Sequence, residues 1–126
     1  MIYYNNDITE NIIADIRSAV RWCEFTNKQL TCAIENTIYS IVAYENCEAI
    51  GMGRLIGDGI YHFICDVAIK PSYQGKGIGT AIIHELLNYI KKNLELNQRC
   101  SLQLISANGQ KFGFLKIPNT NSGHGM

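Results

Sequence analysis

Apolar residues recur along this chain at two spacings. From Thr9 onward, Ile12, Ile13, Ile16, Ala19, Val20 and Cys23 fall three or four apart, the repeat of one buried helix face, and the Thr9 hydroxyl is placed to cap its start. A second, shorter helix carries Leu30, Ala33 and Ile34, with Thr26 and Gln29 at capping-box spacing. A third reads from Ile78 to Ile90, where Ile78, Ile82, Leu86 and Ile90 share a face broadened by Ile83 and Leu87, and Lys91-Lys92 suits its negative end. The remaining apolar segments read as strands. Ile2 to Tyr4 is a short first strand. Thr37 to Tyr44 and Ala49 to Ile56 are joined by a hairpin turn at Glu45-Asn46-Cys47-Glu48, and Gly51 and Gly53 leave room for close packing or a bulge. Gly57-Asp58-Gly59 is a turn, and Ile60 to Lys70 is a long strand stopped by Pro71. Cys100 to Ser106 and Phe112 to Ile117 complete the series. The order β-α-α-β-β-β-α-β-β predicts a single α+β (layered α/β) domain spanning residues 1–126, with a mixed central sheet flanked by helices. Repeats, low-complexity segments and linkers are absent from the sequence.

Composition narrows what such a domain does. With 126 residues, 47% of them apolar, the chain can bury a real core. Eleven basic residues balance eleven acidic ones without a like-charge run, which argues against nucleic acid as the main partner. The apolar segments are too short to span a bilayer, and Met1 to Asp7 lacks the basic-then-apolar layout of a signal peptide, so the expected location is the cytoplasm, away from membranes. Five cysteines, Cys23, Cys32, Cys47, Cys65 and Cys100, form no Cys-x-x-Cys pair, which argues against a disulfide scaffold or a metal site. Most sit among apolar neighbours, where cysteine acts as a small buried hydrophobe.

The strongest chemical signal is Gln74-Gly75-Lys76-Gly77-Ile78-Gly79, between the Ile60–Lys70 strand and the Ile78–Ile90 helix. Glycines let the backbone approach a ligand closely and take positive φ, and the first N–H groups of a helix lack internal partners at the dipole's positive end. Such a turn cradles phosphate oxygens. By itself it reads equally as a tight strand-to-helix connection. The phosphate loop of nucleotide triphosphatases is excluded because Gly-x-x-x-x-Gly-Lys-Ser/Thr does not occur. The dinucleotide fingerprint is excluded because the third glycine comes too early and the motif lies past mid-chain.

The flanks add to the turn. Asp66-Val67-Ala68-Ile69-Lys70-Pro71-Ser72-Tyr73-Gln74-Gly75-Lys76-Gly77-Ile78-Gly79 resembles the cofactor motif of the GNAT acyltransferases, in which a Val-Ala-Ile/Val strand, a Pro-containing loop and Arg/Gln-x-x-Gly-x-Gly/Ala follow one another. Arg17-Ser18, Trp22, Phe112-Gly113-Phe114 and Pro118-Asn119 are similar to the small bacterial members. The resemblance implies the acyl-CoA N-acyltransferase fold, acetyl-coenzyme A as co-substrate, and transfer of its acetyl group to a primary amine of a small molecule or peptide. It implies that the backbone of Val67, Ala68 and Ile69 pairs with the pantetheine arm as an added strand would, and that Gln74, Gly75, Lys76, Gly77, Ile78, Gly79 and Thr80 hold the pyrophosphate, with Asn108 also contacting the cofactor. A backbone N–H of Val67–Ile69 would face the developing oxyanion. An exposed sheet edge could also pair two subunits into a homodimer.

An alkylammonium has a pKa of ~10.4 and must lose a proton before it attacks. Asp66 is the candidate to help, directly or through water, because an acid in an apolar strand costs free energy unless paired; the equal alternative is an Asp bonded to a turn or a basic side chain. Tyr61 and His62 could line the acceptor pocket or pack as edge residues, while His84 reads as solvated. The chain departs from the resemblance after Ser106. Related enzymes carry a short helix with a Phe-Tyr pair whose tyrosine protonates the thiolate. Here Ala107-Asn108-Gly109-Gln110-Lys111-Phe112-Gly113-Phe114 stands instead, and no tyrosine follows Tyr89. Water supplies the proton, or Tyr61 or Tyr73 substitutes, or the domain is an acyl-coenzyme A sensor that binds without turnover.

Overall fold

A computed structural model describes residues 1–94 and 99–104 of the chain. Five strands form one sheet in the order β1-β2-β3-β4-β5: Tyr3–Asn5, Thr37–Glu45, Glu48–Gly57, Tyr61–Ile69 and Ser101–Leu104. The first three pairings are antiparallel and β4–β5 is parallel, so the sheet is mixed as its sequence predicts. Helices α1 (Glu10–Ala19) and α2 (Asn27–Glu35) lie between β1 and β2, and α3 (Ile78–Asn93) between β4 and β5. The predicted strand Phe112–Ile117 lies outside the described residues.

Local chemistry sets the element boundaries. Thr9 caps α1 by accepting the Ile12 N–H. Thr26 and Gln29 form a reciprocal capping box on α2. The hairpin between β2 and β3 turns on Asn46 (φ 51°) and Cys47 (φ 66°), two left-handed residues as a tight hairpin of this twist requires. The Asp58 carboxylate accepts the Ile60 and Tyr61 N–H groups and shapes the turn into β4. One boundary differs from expectation. Helix α1 stops at Ala19, short of Cys23, because Arg21 takes φ 62° and closes a Schellman motif: Arg21 N–H donates to the Ser18 carbonyl and Trp22 N–H to the Arg17 carbonyl.

Two apolar clusters sandwich the sheet. On one face Ile78, Ile82, Ile83, Leu86 and Ile90 of α3 pack on Ile41, Ala43, Leu55 and Ile64. On the other, Ile13, Ile16 and Leu30 of α1 and α2 meet Met52 and Ala68. Gly53 lets α3 lie close on β3, since a Cβ there would sit 2.5 Å from Ile82 Cγ2; a Cβ at Gly51 would instead sit 2.6 Å from Ile69 Cδ1 of β4, with Ile78 and Ile82 of α3 at 3.5 Å.

The long strand β4 holds the main surprise. Its pairing with β3 slips between Met52 and Arg54, which face Ala68 and Cys65, so Gly53 opposes both Asp66 and Val67. This is a β-bulge, and Asp66 at φ 54° is the residue that turns left-handed, a conformation Asp tolerates better than most. The extra residue reverses the alternation. Ile64 faces α3, as do Val67 and Ile69, three and five positions on, while Ala68 joins the opposite cluster. A reading of Ile60–Lys70 as one regular strand misses this because each half alternates normally.

Candidate functional site

The bulge lies just past the part of β4 that faces β5. Among the described residues, β5 pairs with Tyr61 through Ile64, whereas β4 runs on to Ile69. Among the described residues, Cys65–Ile69 therefore has β3 on one side and no strand on the other. Alternate backbone N–H and C=O groups of this stretch point away from β3, to the side on which no described strand pairs with it. Val67 and Ile69 turn their side chains to the α3 core and Ala68 to the α1–α2 core. Main-chain atoms are what this edge offers to a ligand.

Beyond Ile69 the chain is pinned and then opened. Lys70 N–H donates to the Ile50 carbonyl at 2.8 Å, and its ammonium bridges Asp15 (2.7 Å) and Glu48 (3.1 Å). Pro71–Tyr73 makes a 3₁₀ turn, and the Gln74 side-chain amide donates back to the Ile69 carbonyl at 2.9 Å. Gln74 thus spends its side chain on holding the loop. Gly75 (φ 79°) and Gly77 (φ 81°) are both left-handed, and Gly77 is the N-cap of α3. A Cβ at either would meet no atom within 4 Å, so backbone angle rather than crowding selects glycine there. At Gly79 a Cβ would come no closer than 3.8 Å to Ile69 Cγ1, ordinary contact. The first intrahelical bond runs from Ala81 N–H to the Gly77 carbonyl, leaving the N–H groups of Ile78, Gly79 and Thr80 without helical acceptors. Buried Ile78 anchors this turn to the core, and Lys76 Nζ stands 5.4 Å from the Tyr73 ring centroid at the exposed rim. The whole is an open concavity of N–H groups at a helix's positive end, suited to an anion.

Asp66 stands between this edge and the α1–α2 face. Its Oδ1 accepts from Arg17 Nη1 at 2.8 Å, and its Oδ2 takes both Nε and Nη2 of Arg54, each at 2.8 Å. The three side chains are 12–13% exposed. Arg54 also donates through Nη1 to the Ala33 carbonyl and Thr37 Oγ1, and Arg17 donates through Nε and Nη2 to the Cys23 carbonyl. The Arg17 guanidinium lies 5.1 Å from the Trp22 ring centroid and 4.6 Å from that of Phe25. Of the two readings the sequence leaves open for Asp66, a pairing with basic side chains is physically present.

Two cavities meet over this cluster. One of about 260 Å³ is lined by Arg17, Ser18, Trp22, Cys23, Glu24 and Phe25 among others; its neighbour of about 230 Å³ reaches Gln29, Ala33, Arg54 and Asp66, and Phe25 and Leu30 border both. Cys65, next to Asp66, is half-buried, and burial pushes its thiol up to about 11, so it is protonated at neutral pH and no nucleophile. Tyr61 and His62 line neither cavity: they sit at the opposite end of β4, paired with Ser101 and Leu102. Tyr73 is at the glycine loop, where desolvation and then the neighbouring Glu45 carboxylate raise its pKa. His84 is exposed on α3. Asn108 lies outside the described residues. Arg54 escapes a reading based on apolar runs, although its signal is plain: it is the lone charge inside one strand, as Asp66 is inside the next. Among the described residues, no helix is long and apolar enough to cross a membrane, and no cluster of three or more His, Cys, Asp or Glu could hold a metal.

Known proteins share this fold. A protein of unknown function from meticillin-resistant Staphylococcus aureus superimposes with a TM-score of 0.81 at 29% identity, covering 98% of this chain and 96% of that one. A GNAT-family acetyltransferase of Streptococcus pneumoniae gives 0.73 at 25% identity, covering 91% and 88%. A GNAT-family acetyltransferase of Brucella melitensis, crystallised in complex with acetyl-CoA, gives 0.68 over 91% of this chain and 83% of that one; at 20% identity it speaks for the fold. In sequence, an uncharacterized N-acetyltransferase of Pyropia yezoensis is 28% identical over 93 residues, 70% of this chain, which spans about half (53%) of that relative's length. The model of the acetyltransferase (GNAT) family matches residues 8–115, which takes in both α1–α2 cavities, the bulged strand and the glycine loop. With that match across most of its length, the chain belongs to the GNAT acetyltransferase family.

Proposed function

We propose that this protein is an N-acetyltransferase that moves the acetyl group of acetyl-coenzyme A to a primary amine of a small molecule or peptide by direct attack in a ternary complex. The observation that carries it is the continuity of the Cys65–Ile69 edge with the glycine-opened start of α3. An extended pantetheine arm adds to the edge through the main chain of Val67, Ala68 and Ile69, and the pyrophosphate lies on the N–H groups from Gly75 to Thr80, with Lys76 supplying charge at the rim. Gln74 shapes that cradle rather than binding through its side chain. The amine enters through the cavities under Trp22 and Phe25 and reaches the thioester beside the bulge. There a backbone N–H of Val67–Ile69 stabilises the charge that develops on the carbonyl oxygen.

In this reading Asp66 holds the two arginines and the bulge, and water carries the ammonium proton away, since the carboxylate oxygens already accept two guanidinium hydrogen bonds and face a third guanidinium nitrogen, all at 2.8 Å. Tyr61 and Tyr73 lie at the two ends of β4, away from the bulge, which leaves water as the thiolate's proton source as well. The sequence observation that no tyrosine follows Tyr89 favours one alternative, an acyl-coenzyme A sensor without turnover. Calorimetric titration with coenzyme A and mass-spectrometric detection of acetylated product across a panel of amines test both. Thiol-reactive dyes mislead here, because Cys23, Cys32 and Cys47 are exposed. Failure to bind at high micromolar coenzyme A refutes the proposal, and binding without any product across the panel selects the sensor.

A further inference from the structure

The cluster around Asp66 does more than satisfy a buried acid. Arg17 leaves α1 at the third position from its end, and the Schellman motif at Arg21 turns the chain so that Trp22 lies across the Arg17 guanidinium. Phe25 covers the guanidinium at 4.6 Å. The Arg17 donors then divide between two places: Nη1 goes to Asp66 Oδ1 at 2.8 Å, and Nε and Nη2 go to the Cys23 carbonyl at 3.3 and 3.2 Å. One planar fork therefore ties the loop between α1 and α2, which walls the larger cavity, to the left-handed residue that makes the bulge in β4. A buried ion pair is weak evidence for stability, because desolvation offsets most of its attraction. What it fixes is geometry.

We propose that Arg17 is a positioning residue that couples the two substrate sites: the state of the β4 bulge, where acyl-coenzyme A adds its arm, is passed through Asp66 and Arg17 to the Trp22–Phe25 loop over the amine. This rests on the reading of the edge and cavities given above. Pairing along Val67–Ile69 constrains the backbone next to Asp66, the Asp66 carboxylate moves with it, and the guanidinium carries the loop. Such coupling is reciprocal, so an ordered loop also favours the bulge geometry that receives the arm. Lysine cannot replace the device. It would keep a charge beside Asp66 but lacks the planar fork that reaches the Cys23 carbonyl at the same time.

Trp22 is the one tryptophan of the chain and is 41% exposed, so its fluorescence reports the loop directly. In the ligand-free protein, Arg17→Met and Arg17→Lys are expected to raise acrylamide quenching of Trp22 about twofold, the ratio of full to present exposure. Arg17→Lys is expected to do so with little loss of stability in urea, because it retains the charge. Coenzyme A titrated into the unaltered protein is expected to shift Trp22 emission. In either variant calorimetry should give an affinity within about threefold of the original with the emission shift lost. Quenching in Arg17→Lys equal to that of the unaltered protein overturns the proposal, as does an emission response to coenzyme A that survives in both variants. If coenzyme A binds none of the three proteins, calorimetry refutes the function proposed above, and with it the coupling; the ligand-free quenching still decides whether Arg17 positions the loop.

Discussion

Replacing Gly77 by aspartate separates a phosphate cradle from a mere turn. Gly77 holds φ 81° at the N-cap of α3, and a Cβ there meets no atom within 4 Å. The variant therefore suffers backbone strain without a clash, about 1 kcal/mol for a left-handed non-glycine residue, and less for Asp, which tolerates this region. Its carboxylate also meets the positive end of the α3 dipole, worth about 0.5 kcal/mol in return. Stability should thus change by less than about 1 kcal/mol, and the urea midpoint should stay nearly fixed. Binding should not. A carboxylate roughly 5 Å from a pyrophosphate charge, at an effective dielectric constant of about 20, costs about 3 kcal/mol, or roughly two orders of magnitude in Kd. Gly77→Asn is the control, with nearly the same shape and no charge, and should lose only the small steric part. Calorimetry with coenzyme A at low and high salt reads the difference, which should shrink as salt screens it. A folded Gly77→Asp protein with unaltered coenzyme A affinity would refute the placement of the phosphates.

Three further outcomes are expected. Gly53→Ala puts a methyl 2.5 Å from Ile82 Cγ2 and 3.3 Å from Leu86 Cδ1, and should destabilise by about 1–3 kcal/mol in thermal or urea unfolding; a neutral result would mean that α3 can stand off the sheet at no cost. Asp66→Asn leaves two buried guanidinium groups short of their carboxylate and should cost about 3 kcal/mol, with activity lost mainly through a raised KM for the amine; a loss confined to kcat and relieved at high pH would instead make Asp66 the proton acceptor. Cys65 should resist iodoacetamide at pH 8 while Cys23, Cys32 and Cys47 react, as peptide mass spectrometry would show. Because burial raises its pKa from 9.0 to about 11, the buried thiol's contribution to stability is whole below pH 9 and is lost as pH climbs through 11; rapid labelling at pH 8 would contradict this.

What the sequence discloses follows the range of the interactions involved. Thr9, Thr26 with Gln29, and the periodic isoleucines of α3 act within a turn or two of chain, so their elements can be read directly. Gly51 and Gly53 announce close packing but not its partners, which are Ile69 of β4 for the first and Ile82 of α3 for the second. The glycine loop is legible because its conformation is set by residues lying next to each other. The bulge is not, since it depends on how β4 registers against β3. The same holds for Asp66: its partners, Arg17 and Arg54, are 49 and 12 positions away in sequence, and only the folded sheet brings them within 2.8 Å. The end of α1 is hidden for a different reason. Arg21 adopts a backbone angle usually given to glycine, and nothing in its identity says so.

The bulge at Asp66 also constrains which lengths of this strand are viable. Ile64 and Val67 both face α3 only because an odd residue stands between the two halves of β4. Removing Asp66 would restore a regular ladder in which Ile64, Val67 and Ile69 still alternate onto the α3 face and Ala68 onto the other. What the deletion takes is the carboxylate shared by Arg17 and Arg54. The bulge is thus where β4 can change length without changing which residues it buries, and what opposes such a change is the pair of arginines rather than the core.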